Sequence, residues 1–263
     1  MPKLAANLST MFCEVPFLER FERAAWAGFS AVEFQFPYAF AAADIAAELK
    51  GNRLEVVLFN MPPGDLAAGE RGLASLPEAR ERFAESVGIA LDYARTIGCR
   101  QLHCMAGVLS GDASMDEREE TLVENLAYAA RVFAPHGIRA LIEPLNPYDT
   151  PSYLLTSVDH AARIVRRVGS DQVRIQYDLY HQSRTRGELL ATFDRHRELI
   201  AHIQIAGNPG RHEPDAGEID YRFVLEALDA RGYDGFVGCE YVPAGTTEEG
   251  LGWAREWLEA GAS

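Results

Sequence analysis

Two rhythms of apolar and polar positions alternate along this chain. Short apolar runs rich in β-branched residues predict strands at Leu4–Ser9, Ala31–Gln35, Leu54–Met61, Gln101–Gly107, Arg139–Asn146, Val173–Leu179, Ala201–Ala206 and Phe236–Tyr241. Between them, apolar residues recur at helical spacing in "FLERFERAAWAG", "ADIAAELKG", "EARERFAESVGIALDYARTIG" and "REETLVENLAYAARVFAPHG". The same holds for "VDHAARIVRRVG", "ELLATFDRHREL", "DYRFVLEALDARG" and "GLGWAREWLEAG". Several of these close on a glycine, the residue that most readily turns left-handed after a last helical turn: Gly28, Gly51, Gly98, Gly137, Gly169 and Gly232. Eight strands alternating with eight helices predict an α/β fold, a single (β/α)8 TIM barrel spanning 1–263. An open doubly wound sheet would want a Gly-rich turn after its first strand, and "NLSTMFCEVP" has none.

Composition narrows the partners. Lys plus Arg is 25 against 39 for Asp plus Glu, a net charge of -14 with no basic cluster, which argues against nucleic acid. No run approaches the ~20 apolar residues of a membrane span, and "MPKLAANLSTMF" lacks a signal peptide's apolar region, so a cytoplasmic protein with no membrane partner is expected. Cys13, Cys99, Cys104 and Cys239 form no CxxC pair, and three lie in or beside apolar runs, as buried free thiols would. Helix-clad barrels often pair, which leaves a homo-oligomer open, but no stripe commits to an interface.

The chemistry concentrates where barrels place it, at the C-terminal ends of strands. The fifth strand ends in Glu143 ("LIEPLN"), the sixth carries Asp178 ("RIQYDLYH"), the seventh Gln204 ("HIQIAG") and the eighth Glu240 ("VGCEYV"). Each sits among apolar residues, about one βα unit from the next. Alone, any one of them reads equally well as a strand-end group bonded to a neighbouring loop. Three carboxylates crowding one mouth would repel one another and raise one another's pKa, and a divalent cation removes that penalty. An all-oxygen set of Glu, Asp, Gln amide and Glu suits Mg²⁺ or Mn²⁺ better than Zn²⁺. Two glutamates across such a metal can take a proton from one carbon and return it to the next while the metal steadies the enediolate between them. That is aldose–ketose chemistry, and it needs no redox cofactor.

At these residues the sequence resembles the hydroxypyruvate isomerase family of the xylose-isomerase-like barrels. The matching pieces are "IEPLNP", "QYDLYH", "HIQIAGNPGRHEPDAGEIDY" and "GFVGCEY", in the same order from end to end. The resemblance implies a barrel with Glu143, Asp178, Gln204 and Glu240 around a divalent metal, and Glu143 with Glu240 as proton donor and acceptor. It implies a small hydroxy-keto acid substrate, hydroxypyruvate going to tartronate semialdehyde, or a four-carbon 2-oxo-tetronate in a close variant. Related sugar epimerases usually present a His where this chain has Gln204. The chain departs from the family pattern at Ser152, where Gly is expected, and after His181.

Such a substrate carries a carboxylate, and "GNPGRHEPDAGEID" offers Arg211 and His212 to meet it, with His181 as a further hydrogen-bonding candidate. His103, Asn7 and Asn60 fit a core or turn role as well as the site, Arg53 falls at the wrong end, and Trp26, Trp253 and Trp257 read as packing. Two other classes share the scaffold. An inosose-type dehydratase would lose water where an isomerase conserves mass. An abasic-site endonuclease would need several metals, more than seven His to draw on, and a basic groove.

Overall fold

The computed structural model describes residues 2–261. Eight parallel strands close in chain order: β1 (Lys3–Asn7), β2 (Ala31–Phe34), β3 (Glu55–Asn60), β4 (Gln101–His103), β5 (Arg139–Ile142), β6 (Val173–Asp178), β7 (Ile200–Ile205) and β8 (Phe236–Cys239). β8 returns to β1 in register from Lys3↔Phe236 to Ala6↔Cys239, so the sheet has no open edge. This is the (β/α)8 barrel that the alternation predicts. Around it run α1 (Arg20–Trp26), α2 (Ala42–Asn52), α3 (Arg80–Ile97), α4 (Met115–Phe133), α5 (Val158–Val168), α6 (Leu179–Ser183), α7 (Leu189–His196), α8 (Tyr221–Ala230), α9 (Thr247–Gly250) and α10 (Arg255–Gly261). No described helix is long and apolar enough to cross a membrane. Cys99, Cys104 and Cys239 are buried free thiols, while Cys13 is exposed.

The strands carry a two-residue period with opposite chemistry on their two faces. Val32 and Phe34, Ile175 and Tyr177, Ile203 and Ile205, and Val237 and Cys239 join the apolar core packed against the helices. The intervening positions turn into the barrel and are polar towards the mouth: Glu33, Gln176 and Asp178, His202 and Gln204, all buried. Each outer apolar side chain gains about 1.5–3 kcal/mol by burial, which fixes the register and carries the polar positions inward with it. Helices answer with matching stripes. In α5, Val158, Ala161, Ala162, Ile164 and Val165 are buried while Arg163 and Arg166 face out.

Several boundaries differ from the sequence expectation. β4, β5 and β8 stop at His103, Ile142 and Cys239, short of Gly107, Asn146 and Tyr241, because the backbone beyond pairs with loops. Leu145 N donates to Leu155 O, Leu154 N donates to Gly107 O, and Val108 bridges Tyr153. Gly51 lies inside α2, and Arg53 takes the left-handed position after it, its N–H donating to Leu49 O and Lys50 O. Trp26 does not pack: it is 69% exposed with the Arg23 guanidinium over its ring. Two short helices, α6 and α9, lie beyond the eight expected.

Ser152, where family likeness suggests glycine, has φ 61. A left-handed serine is strained, whereas glycine meets that backbone freely. Ser152→Gly is therefore expected to stabilise the fold by about 0.5–1 kcal/mol. Thermal unfolding checks this, and an unchanged or lower midpoint would contradict it.

Candidate active site

Glu143 and Glu240 stand one residue beyond β5 and β8, Asp178 closes β6, and Gln204 lies within β7, so the closure of the barrel gathers all four at one mouth. All four are buried. Burial raises the pKa of Glu143 well above the usual carboxylate range, and the charges of Glu240 and Asp178 push it further. Burial likewise raises Asp178 and Glu240, against the pull of the Arg211 guanidinium.

The two glutamates differ in their surroundings. Glu240 is saturated: Oε1 accepts from Asn7 Nδ2 at 3.2 Å and Gln35 Nε2 at 3.0 Å, and Oε2 accepts from Arg211 at 2.7 Å. Glu143 Oε1 is buried without a partner, and its other oxygen is 3.6 Å from His103 Nδ1. Asp178 divides its work. Oδ1 caps α6, accepting from Tyr180 N at 2.7 Å and His181 N at 3.2 Å, while Oδ2 is buried without a hydrogen-bond partner. Oδ2 is 3.7 Å from His181 Nε2 and 3.8 Å from Arg211.

Two orphaned carboxylate oxygens aimed into one mouth fit a hard dication. Among the described residues, Glu143, Asp178 and His181 each present a donor atom within 4.8 Å of the others. His181 is buried on α6. Its Nδ1 accepts the Asn146 backbone N–H at 3.1 Å, and burial depresses its pKa to about 3, so the neutral ring carries its proton on Nε2. A protonated Nε2 donates a hydrogen bond to an oxygen and does not ligate a metal. His103 is likewise neutral, pushed down to about 3 by burial and by His181.

Arg211 reaches the mouth, with its guanidinium stacked 5.2 Å from the Tyr180 ring centroid. Burial works against its charge, but Glu240, Asp178 and Glu143 outweigh that and raise its pKa. Its loop is folded tightly on itself. A Cβ on Gly207 would come within 2.4 Å of Glu213 O, so only glycine fits there. His212 does not join the cluster. It is exposed, and its Nδ1 meets Val242 O at 2.8 Å on the rim. Neighbouring Asp149 accepts from Tyr180 Oη, Asn146 Nδ2 and Arg184.

Sequence reasoning missed the layer beneath. Glu33 is fully buried, and Oε1 accepts from Asn7 Nδ2 at 2.9 Å and Gln204 Nε2 at 2.7 Å. Its Oε2 lies 2.6 Å from His202 Nε2. Gln176 Nε2 donates to Gln204 Oε1 at 2.5 Å, which fixes that amide from the other side. The signal was available in "AVEFQF", a polar residue inside an apolar strand like the other four.

The geometry is that of a carboxylate-lined barrel mouth, and the chain belongs to the xylose isomerase-like TIM barrels, whose family model matches residues 21–260. Within that family it is 47% identical to the 2-oxo-tetronate isomerase of Cupriavidus necator, covering 98% of this chain and 99% of that one. It is 44% identical to the hydroxypyruvate isomerase of Escherichia coli, covering 96% and 98%. A solved structure described as AP endonuclease, family 2, from Brucella melitensis superposes with a TM-score of 0.96 at 50% identity, covering 97% of this chain and 99% of that one.

Proposed function

We propose that this chain interconverts hydroxypyruvate and tartronate semialdehyde by moving a proton between adjacent carbons with Glu143 and Glu240. The class, an isomerase of small hydroxy-keto acids, follows from full-length relatives of that name. The observation that carries the residue assignment is the pair of buried glutamates facing one cluster with Asp178, one saturated with donors and one orphaned.

Glu240, whose carboxylate oxygens accept from Arg211, Asn7 and Gln35, suits removal of a proton from the substrate's CH₂OH carbon. Glu143, whose carboxyl is driven towards its protonated form, suits delivery of a proton at the neighbouring carbon. Mass is conserved, since one C–H bond breaks and one forms while a hydroxyl proton passes between the two oxygens. His181 Nε2–H donates to one of those oxygens. Glu143, Asp178, Gln204 and Glu240 would hold a divalent ion, Mg²⁺ or Mn²⁺, which when bound polarises the substrate carbonyl. Arg211 meets the substrate carboxylate.

Arg211→Met is expected to raise KM roughly 10- to 100-fold, the worth of about 1.5–3 kcal/mol for a charged hydrogen bond. Steady-state kinetics on hydroxypyruvate check it, and an unchanged KM would remove Arg211 from the substrate contacts. A four-carbon 2-oxo-tetronate is the second reading, favoured by the Cupriavidus relative. Parallel kcat/KM values for the two acids decide between them. Mass spectrometry of the product separates both from a dehydratase, which would lose water. An endonuclease reading is disfavoured by the net charge of -14, which repels a phosphate backbone.

A further inference from the structure

We propose that Glu33 is a positioning residue that orients Gln204 and Glu240 from beneath the mouth, and that Gly238 supplies the space it needs. The inference rests on the reading of Gln204 and Glu240 as metal ligands, and three independent features support it.

The first is the hydrogen-bond pattern. Asn7, Gln204 and His202 all direct nitrogens at Glu33, at 2.9, 2.7 and 2.6 Å. A carboxylate, which offers acceptors alone, satisfies all three when His202 carries its proton on Nε2. Because Glu33 accepts, Gln204 must turn its NH₂ to Glu33, which leaves its oxygen to accept from Gln176. Asn7 Nδ2 is shared between Glu33 Oε1 and Glu240 Oε1, so the same carboxylate also holds the group that holds Glu240. One buried side chain thus sets two residues that arrive on different strands.

The second is the backbone. The β2–β3 register shifts between Val32 and Glu33, and the β6–β7 register shifts between Ile175 and Gln176. Such bulges re-aim side chains, and here both fall at members of this network. The third is the cradle. A Cβ on Gly238 would lie 2.3 Å from Glu33 Oε2 and 2.5 Å from its Cδ, an overlap that a side chain pinned by three partners cannot yield to. Gly238 is accordingly glycine for close approach, with no left-handed φ to require it. Glu33 also acts at a distance: burial is the main reason that Glu143, Asp178 and Glu240 are raised, and the negative charge of Glu33 adds to each.

The test uses Mn²⁺ binding, followed by electron paramagnetic resonance, beside steady-state kinetics and thermal unfolding of the metal-free protein. In Glu33→Gln, an amide NH₂ faces a former donor and Gln204 rotates to answer it, so its oxygen leaves the position in which Gln176 and Glu33 hold it. Mn²⁺ affinity is expected to fall about 10- to 100-fold, the usual effect of losing a residue that holds a ligand. The unfolding midpoint should fall as well, because one amide end opposes a buried donor, so the positioning role is read from Mn²⁺ affinity. Glu33→Asp, which keeps the charge but withdraws it by one methylene, should weaken Mn²⁺ in the same direction and serves if the glutamine variant does not fold. In a Gln204→Leu background, Glu33→Gln should cost less affinity than in the wild type, and what remains should pass through Asn7 and Glu240.

Wild-type Mn²⁺ affinity in a folded Glu33 variant would overturn the proposal. So would a fall in stability with affinity unchanged, which would mark Glu33 as a core residue only. Failure of the wild type itself to bind Mn²⁺ would remove the ligand reading and this inference together, whereas absence of isomerase activity with Mn²⁺ bound would count against the proposed reaction alone.

Discussion

Glu143→Gln or Glu240→Gln is expected to abolish measurable turnover, with kcat down by roughly 10²–10⁴-fold or more, while the barrel stays folded. Glutamine keeps the volume of each side chain and can no longer exchange a proton with carbon. The structure also gives the two substitutions different secondary effects. At position 143 the amide replaces a carboxyl whose Oε1 has no partner and whose pKa is raised by burial and by Glu240 and Asp178. Removing that charge relieves repulsion, so Glu143→Gln should melt at or above the wild-type temperature without metal. At position 240 the amide meets the donors of Asn7, Gln35 and Arg211, and one of its two ends must oppose a donor. Glu240→Gln should therefore melt lower. Kinetics paired with calorimetry check both halves, and near-normal kcat in either variant would end the two-base mechanism.

The second large effect is at Asp178, where two variants separate two roles. Asp178→Ala removes the cap on α6, worth about 1 kcal/mol, together with the buried Oδ2. Asp178→Asn keeps an oxygen for the Tyr180 and His181 N–H groups and loses only the charge. Both should lose divalent-metal affinity by more than the roughly 10–100-fold typical of a residue behind a ligand. Only the alanine variant should lose stability, and it should also loosen His181, which α6 aims at the mouth. Isothermal titration with Mn²⁺ and thermal unfolding distinguish these outcomes. Unchanged affinity in Asp178→Asn would take Asp178 out of the ligand set.

The eight βα units were legible because each strand packs an apolar face outward and each helix an apolar stripe inward, and both periods are local. Glu143, Asp178, Gln204 and Glu240 stood out because each breaks an apolar run where a barrel keeps its chemistry. The layer below them was not read, although "AVEFQF" and "HIQIAG" carry the same alternation. Barrel interiors are commonly filled with Val, Ile and Leu, so Glu33, Gln176 and His202 gave no local sign that they share one lumen. Their partners explain the difficulty: Glu33 meets His202 and Gln204 across 169 and 171 residues of chain. Nothing in the sequence sets His181 on a helix, because α6 is only five residues long and follows its cap Asp178 directly, too short to leave a helical period. Neighbours in sequence, Arg211 and His212 looked equivalent. The left-handed backbone at Arg211, φ 58, separates them, turning one inward and the other to the rim.

The most direct test of the central claim is proton NMR of the purified protein with hydroxypyruvate in D₂O, with Mg²⁺ or Mn²⁺ supplied. Proton transfer between carbons through carboxylates predicts tartronate semialdehyde bearing deuterium on carbon, and loss of that exchange in Glu143→Gln and Glu240→Gln. Product formed with no solvent deuterium at carbon would contradict it, because the delivered hydrogen would then not have come from a second carboxyl open to exchange with solvent.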